Sequence, residues 1–76
     1  MRSSLYDDIW DLNSSNGVFY FAAEERGKRM VVLFDGNHEI KSNTFDEVVI
    51  EKFENGVLYF KGRKGNKWVK DSISIN

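Results

Sequence analysis

His38 is the only histidine in a chain that has no cysteine and no proline. Histidine is the side chain best suited to acid–base work near neutral pH. Here it has no thiol to activate, and no serine is set beside it by any motif, so next to Asp35-Gly36-Asn37 it reads as a solvated turn residue. Carboxylates are the other candidates, and they come in the pairs Asp7-Asp8, Glu24-Glu25 and Asp46-Glu47. Paired carboxylates can hold a divalent cation or run general acid–base chemistry. Adjacent residues of a strand point to opposite faces, however, so Asp46 and Glu47 do not share a ligand site simply. Asp7 and Asp8 suit the first turn of a helix, where the dipole favours negative charge. Glu24-Glu25-Arg26-Gly27-Lys28 reads as a mixed-charge turn. No phosphate loop, dinucleotide fingerprint or metal-ligand spacing is present. Neither an enzyme nor a metal or organic cofactor is expected.

The remaining constellation is Lys61-Gly62-Arg63-Lys64-Gly65-Asn66-Lys67-Trp68-Val69-Lys70, five basic residues in ten. With Tyr59 it interleaves cations and aromatic rings. Such a surface suits a partner protein, because exposed Trp, Tyr and Arg are preferred interface anchors. It also suits nucleic acid, where cations meet phosphates and rings stack on bases. The bland reading has its own physics: a cation over an indole ring is worth about 0.5–1 kcal/mol when exposed, and lysines on an edge strand block aggregation. The candidate partner-binding residues are Tyr59, Lys61, Arg63, Lys64, Lys67, Trp68 and Lys70. Residues 1–60 carry 6 basic and 11 acidic side chains, whereas 61–76 carry 5 basic and one acidic. Charge segregation of this kind speaks to partners rather than fold. A pI near 5.7 is low for a domain dedicated to nucleic acid.

These residues must be placed by a small scaffold. The chain has 76 residues, 41% hydrophobic and 30% charged, which fits one globular domain over 1–76. At this size roughly 60% of the unfolded surface can be buried. The lack of cysteine removes disulfides and thiolate zinc sites. With no apolar run long enough for a membrane helix and no signal-peptide pattern, a cytoplasmic location is expected.

The first element reads as a helix over about 4–12. Ser4 is its N-cap, and Leu5, Ile9 and Leu12 form an apolar stripe. Strands follow near 18–24, 29–35, 45–53, 57–63 and 67–75, with His38 to Lys41 as a short sixth, punctuated by Asn16-Gly17, Gly36-Asn37, Asn55-Gly56 and Gly65-Asn66. Short links make neighbours antiparallel, giving a meander over about 17–75. For 45–53 against 57–63, a three-residue loop Glu54-Asn55-Gly56 puts Val48, Ile50, Leu58 and Phe60 on one face and Glu47 opposite Arg63 on the other. Pairing Phe60 with Val69 then sets Lys61 opposite Trp68 and Tyr59 opposite Lys70. It leaves Asp71 on the inner face, which calls for a bulge or a sheet edge there. In the first hairpin Phe19, Phe21, Val31 and Leu33 share one face, Val18, Tyr20, Ala22, Met30, Val32 and Phe34 the other, so both faces should be covered. Asn16-Gly17-Val18-Phe19-Tyr20-Phe21 matches Asn55-Gly56-Val57-Leu58-Tyr59-Phe60 at five of six positions. That match is explained by good hairpin chemistry or by a duplicated hairpin.

The expected fold is mainly β (α+β): a short N-terminal helix on a curled five-stranded antiparallel sheet. In outline it resembles the small SH3-like and Sm-like barrels, a likeness of architecture that carries no function with it. The expected core is Leu5, Ile9, Phe19, Phe21, Val31, Leu33, Val48, Ile50, Leu58, Phe60, Val69 and Ile73. A compact, cysteine-free chain that opens on Met without a catalytic set fits a small regulator or inhibitor, an accessory factor of the phage or mobile-element type, that occupies a partner protein's surface. The alternative is a nucleic-acid-binding module that uses the same basic and aromatic hairpin. A homodimer through the outer face carrying Val49, Phe53 and Val57 competes with both.

Overall fold

A computed structural model describes residues 6–75. They form seven strands: β1 Asp8–Ser15, β2 Val18–Glu25, β3 Lys28–Phe34, β4 Glu39–Lys41, β5 Glu47–Glu54, β6 Val57–Lys64 and β7 Lys67–Ser74. These make two antiparallel sheets, β1-β2-β3-β4 and β5-β6-β7. Among the described residues there is no helix and no closed barrel, so the expected helix on a curled five-stranded sheet is corrected to an all-β pair of sheets.

The helix over about 4–12 fails for a readable reason. Ser4 and Leu5 lie outside the described residues, and the rest of the segment enters strand β1. The register of β1 on β2 jumps between Trp10 and Asn13, with Asp11 in the left-handed region at φ 58°. One extra residue in a strand shifts the two-residue alternation. It thereby sets Ile9 and Leu12 three apart, as on a helix. Leu12 is exposed rather than part of a buried stripe.

Two-residue turns fix four of the five hairpins, β3 and β4 being joined instead by Asp35 to His38. Asn16-Gly17, Arg26-Gly27 and Asn55-Gly56 each have both residues at positive φ. This is the signature of the type I′ turn, whose twist matches that of the flanking strands. At the last turn only Gly65 has positive φ, the type II′ pattern. The three-residue loop expected at Glu54-Asn55-Gly56 is therefore a two-residue turn. The extra residue is instead absorbed as a bulge at Glu51, between Ile50↔Phe60 and Lys52↔Tyr59. Val48 and Ile50 still share a side of the sheet with Phe60, and Glu47 still faces Arg63. In the first hairpin the turn sets Glu25 opposite Lys28, so Ala22 pairs with Val31 and Phe21 with Val32. The two faces expected there are thus mismatched by one residue on β3.

The two sheets pack face to face. Ala22, Val31 and Leu33 of the first meet Phe45, Val48, Leu58 and Phe60, with Trp10, Tyr20, Ile40, Ile50, Phe53 and Ile73 around them. A second cluster lies on the far side of the first sheet: Tyr6, Phe21, Ala23, Met30 and Val32, with Ile9 against it. Both faces of that hairpin are indeed covered, with Tyr6 taking part where the helix was expected. Of the expected core, Leu5 lies outside the described residues, while Phe19 and Val69 are exposed. Tyr6 and Phe45 are buried residues the pattern did not single out, and Met30 and Val32, read on a covered face but left out of the expected core, are buried too.

The repeat noticed at two Asn-Gly turns extends through the whole architecture. The bounds Asp8–Ser15 and Glu47–Glu54, the bounds Val18–Glu25 and Val57–Lys64, and the starts Lys28 and Lys67 all differ by 39. Tyr6 packs edge-on against Phe21 at 5.9 Å and 74°, and Phe45 against Phe60 at 5.8 Å and 71°. The Asp7 N–H donates to the Glu24 carbonyl at 2.8 Å, and the Asp46 N–H to the Arg63 carbonyl at 2.7 Å. An Asp7 carboxylate oxygen accepts from the Arg26 N–H at 2.9 Å, and one of Asp46 from the Gly65 N–H at 2.7 Å. Each partner lies 39 residues beyond its counterpart. Two copies of one three-stranded unit, each opened by an aromatic-Asp pair whose carboxylate ties down the second turn, therefore build the chain.

Gly62 marks the tightest joint. A Cβ built there would lie 2.5 Å from the Phe45 ring. The equivalent position in the first unit, Ala23, is fully buried. Gly62→Ala is expected to cost about 1–3 kcal/mol by overpacking, read as a lower denaturant midpoint with an unchanged m-value. An unaltered midpoint would show that the ring shifts freely.

Candidate functional site

The hairpin β6–β7 carries the candidate residues. Its register pairs Arg63 with Trp68, Lys61 with Lys70 and Tyr59 with Ser72. The expected pairs, Lys61 with Trp68 and Tyr59 with Lys70, are shifted by two residues, because the turn is Gly65-Asn66 rather than a four-residue loop. A two-residue shift keeps every side chain on its face. Tyr59, Lys61, Arg63, Trp68 and Lys70 therefore do share the outer face of the second sheet. Lys64 and Lys67 are opposite each other beside the turn, on the other face. There the Lys64 ammonium sits 5.4 Å from the centre of the Phe45 ring.

Trp68 is exposed at 46% and Tyr59 at 37%, with Val49 at 45% opposite Lys61 on the same face. The Arg63 guanidinium lies 6.0 Å from the Trp68 ring centre and donates to the Gly65 carbonyl. The Lys52 ammonium lies 5.1 Å from the Tyr59 ring centre. These contacts set a cation beside each ring while leaving much of its area open. The Phe60–Val69 pairing expected beneath this face is replaced by Phe60 opposite Asp71 and Gly62 opposite Val69. Asp71 is tolerated on the inner side because β7 is an edge strand and the residue is exposed.

Acidic residues of β5 rim the face on one side. Lys61 pairs with Glu51 at 3.8 Å and Lys52 with Glu54 at 3.2 Å. Both pairs are exposed, so each is worth little in stability. What they change is the field: positive charge is offset along β5 and remains along β7 and its turn.

The sequence-level candidates for catalysis are scattered. His38 is exposed, its Nδ1 3.6 Å from an Asp35 carboxylate oxygen. That carboxylate also accepts the backbone N–H groups of Asn37 and His38, which hold its pKa below the ordinary range. Asp7 holds a turn, while Asp8 accepts its neighbour's N–H at 2.9 Å. Neither lies in the first turn of a helix, where both were expected. Asp46 accepts the Gly65 N–H and pairs with Lys28 at 3.4 Å. Glu47 takes the Arg29 guanidinium, which also reaches Glu24 at 3.3 Å and lies 5.3 Å from the Trp10 ring centre. The Tyr6 phenol, buried and donating to Glu39 at 2.7 Å, is held protonated well above the usual tyrosine range. Among the described residues no three His, Cys, Asp or Glu side chains gather as a metal would need. Nor is any helix there long and apolar enough to cross a membrane.

Sequence reasoning missed the role of Asp46, which anchors the turn of the basic hairpin to β5. The signal was present: Tyr6-Asp7 and Phe45-Asp46 each precede their Asn-Gly turn by the same spacing. Comparison with protein-family models, with curated proteins and with solved structures gives no match.

The carboxylates that hold this face titrate low. The Gly65 N–H, then Lys28, lowers Asp46 from its ordinary 3.8, and the Arg29 hydrogen bond lowers Glu47 from its ordinary 4.5. A depressed folded value means stability that is present above the ordinary range and lost as pH falls through the folded values. The thermal midpoint should therefore drop steadily below about pH 4.5. Asp46→Asn and Glu47→Gln should each flatten that drop. An identical acid profile in both variants would rule the two carboxylates out as its source.

Proposed function

We propose that the chain is a non-catalytic binding protein whose outer β5–β7 face docks on a partner protein, and that it acts by occupying the surface it covers. The observation that supports this reading most is the co-facial set of Tyr59, Arg63 and Trp68, with half of Trp68 open to solvent. Aromatic and arginine side chains held on a rigid strand pair lose little freedom on binding, and they dominate the energy of known interfaces. The charge left along β7 fits an acidic partner surface. A chain of this kind works as a cytoplasmic regulator or inhibitor, excluding a competing ligand by bulk and charge.

Nucleic acid is the weaker alternative on this geometry. Lys61 is paired with Glu51, and Lys64 and Lys67 lie on the opposite face. Few cations are left to track one phosphate backbone. Each phosphate contact on duplex DNA would add about 0.9 to the salt slope, so the short patch would bind weakly.

Trp68→Ala is the test. Its ring is half exposed on an edge strand, so the unfolding free energy should change by less than about 1 kcal/mol. Recovery of a specific partner from source cells should fall about tenfold, as the loss of about 1.4 kcal/mol at an anchor would give. Equal recovery by the two forms would remove this face as the site. Binding to short oligonucleotides that falls tenfold between about 50 and 200 mM salt would replace the protein partner with nucleic acid.

A further inference from the structure

β3 and β7 occupy the same place in the two repeated units, yet their outer edges differ. Along β3 the edge is taken. Glu39–Lys41 pairs with Val32–Phe34. The Ser42 N–H donates to the Val31 carbonyl at 3.0 Å, and its hydroxyl oxygen accepts the Val31 N–H at 3.0 Å. The Arg29 N–H donates to the Phe45 carbonyl at 2.9 Å, and the Phe45 N–H to the Arg29 carbonyl at 2.7 Å. The outward backbone groups of β3 are thus those of Arg29, Val31 and, by alternation, Leu33. Thirty-nine residues on, the same positions are Trp68, Lys70 and Ser72. Among the described residues no strand pairs with that edge of β7. Every residue from Lys67 to Ser72 is exposed, with Trp68 on one face and Val69 on the other.

We propose that the outer edge of β7 takes up an extended, acidic segment of a partner protein as an added antiparallel strand. This rests on the docking reading above and supplies its mode and partner chemistry. The first unit shows what such a strand looks like in this fold: the segment along β3 runs from Glu39 through Phe45 to Asp46 and Glu47. Around the stretch of edge from Trp68 to Ser72 stand Lys64, Lys67 and Lys70, with Asp71 the only acid of β7. In strand addition the main chain provides affinity, and alternate side chains provide selectivity. An acidic strand would find lysines on both faces, the Trp68 ring on one and Val69 on the other. A second copy of β7 fits worse, because its eight residues hold two lysines and a single acid, so it would bring net like charge to this edge.

The probe is a capped synthetic peptide with the sequence of residues 39–47, which holds three acids and one base. It is titrated to about 1 mM, the scale of the effective concentration it replaces, into the isotope-labelled full chain, with amide shifts and hydrogen exchange read by NMR. The expected result is shift and slowed exchange at Trp68, Lys70 and Ser72, and no response to the same peptide with its acids replaced by lysine. Lys70→Pro removes an outward N–H that an edge strand does not use, which β-edges tolerate, and should abolish the response. Should that variant lose the β6–β7 pairing, Lys70→Glu keeps the N–H, and a tenfold weaker response is then expected from charge alone. Silence at the three amides up to about 1 mM overturns the proposal. Protection of those amides in the chain alone, growing with its concentration, overturns it in favour of a second copy. A cellular partner that Lys70→Pro still binds and Trp68→Ala loses would refute strand addition and leave the docking face standing.

Discussion

Two backbone hydrogen bonds between Arg29 and Phe45 join the first sheet to the second. Through them Phe45 is fixed over Gly62 and against Phe60, at the centre of the inter-sheet core. The next residue, Asp46, is thereby brought to the Gly65 N–H, and the one after it, Glu47, to the Arg29 side chain. Three consecutive residues thus set the packing of the second sheet, the turn of its basic hairpin and the ion pair that crosses between the sheets. The basic and aromatic face inherits its position from that short stretch. Phe45 is buried, so leaving its backbone pairing unmade is costly.

The repeated unit shows how one backbone serves two ends. In the first copy, Trp10, Tyr20, Ala22, Val31 and Leu33 face the second sheet and belong to its core or pack against it. Thirty-nine residues on, these positions are Val49, Tyr59, Lys61, Lys70 and Ser72, and they form the outer face. A surface that is apolar and covered in one unit has become mixed and open in the next. Stacked repeats commonly end on a polar outer face. Tyr59 keeps its aromatic ring and Val49 stays apolar, so this end is less polar than solubility alone would ask.

Much of this was legible in the residues. Asn-Gly pairs marked turns because few other residues accept two successive positive φ values, and Asn16 and Asn55 both do. The outer face was legible because strand side chains alternate. Tyr59, Lys61, Arg63, Trp68 and Lys70 kept the face read for them even though the turn length was misjudged, while Lys64 and Lys67, to which no face had been given, lie on the other. Two features were hidden by a single cause, the bulge. In β1 it made Ile9 and Leu12 look helical, and in β5 it displaced onto the loop a residue that belongs at Glu51. A bulge leaves no compositional mark, since Asp11 and Glu51 are ordinary strand-edge residues. The buried aromatics Tyr6 and Phe45 were passed over because Tyr6 lies off the apolar stripe of the expected helix and Phe45, read as the first residue of a strand, alternates with Glu47 and Val49 on its outer face; in the fold both precede their strands.

The two-residue turns have a kinetic consequence. Within each unit every pairing is between strands adjacent in sequence, so closing it fixes only short loops. Low contact order of this kind favours fast formation. The docking of one meander on the other, across Arg29 and Phe45, is the step that waits for both. Substitutions at Phe45 are therefore expected to raise the unfolding limb of a chevron without changing its slope, and to leave refolding nearly untouched. Substitutions at the Asn55-Gly56 turn should slow refolding instead. Local turns close each half, whereas the seam between Arg29 and Phe45 has to be closed across a longer stretch of chain.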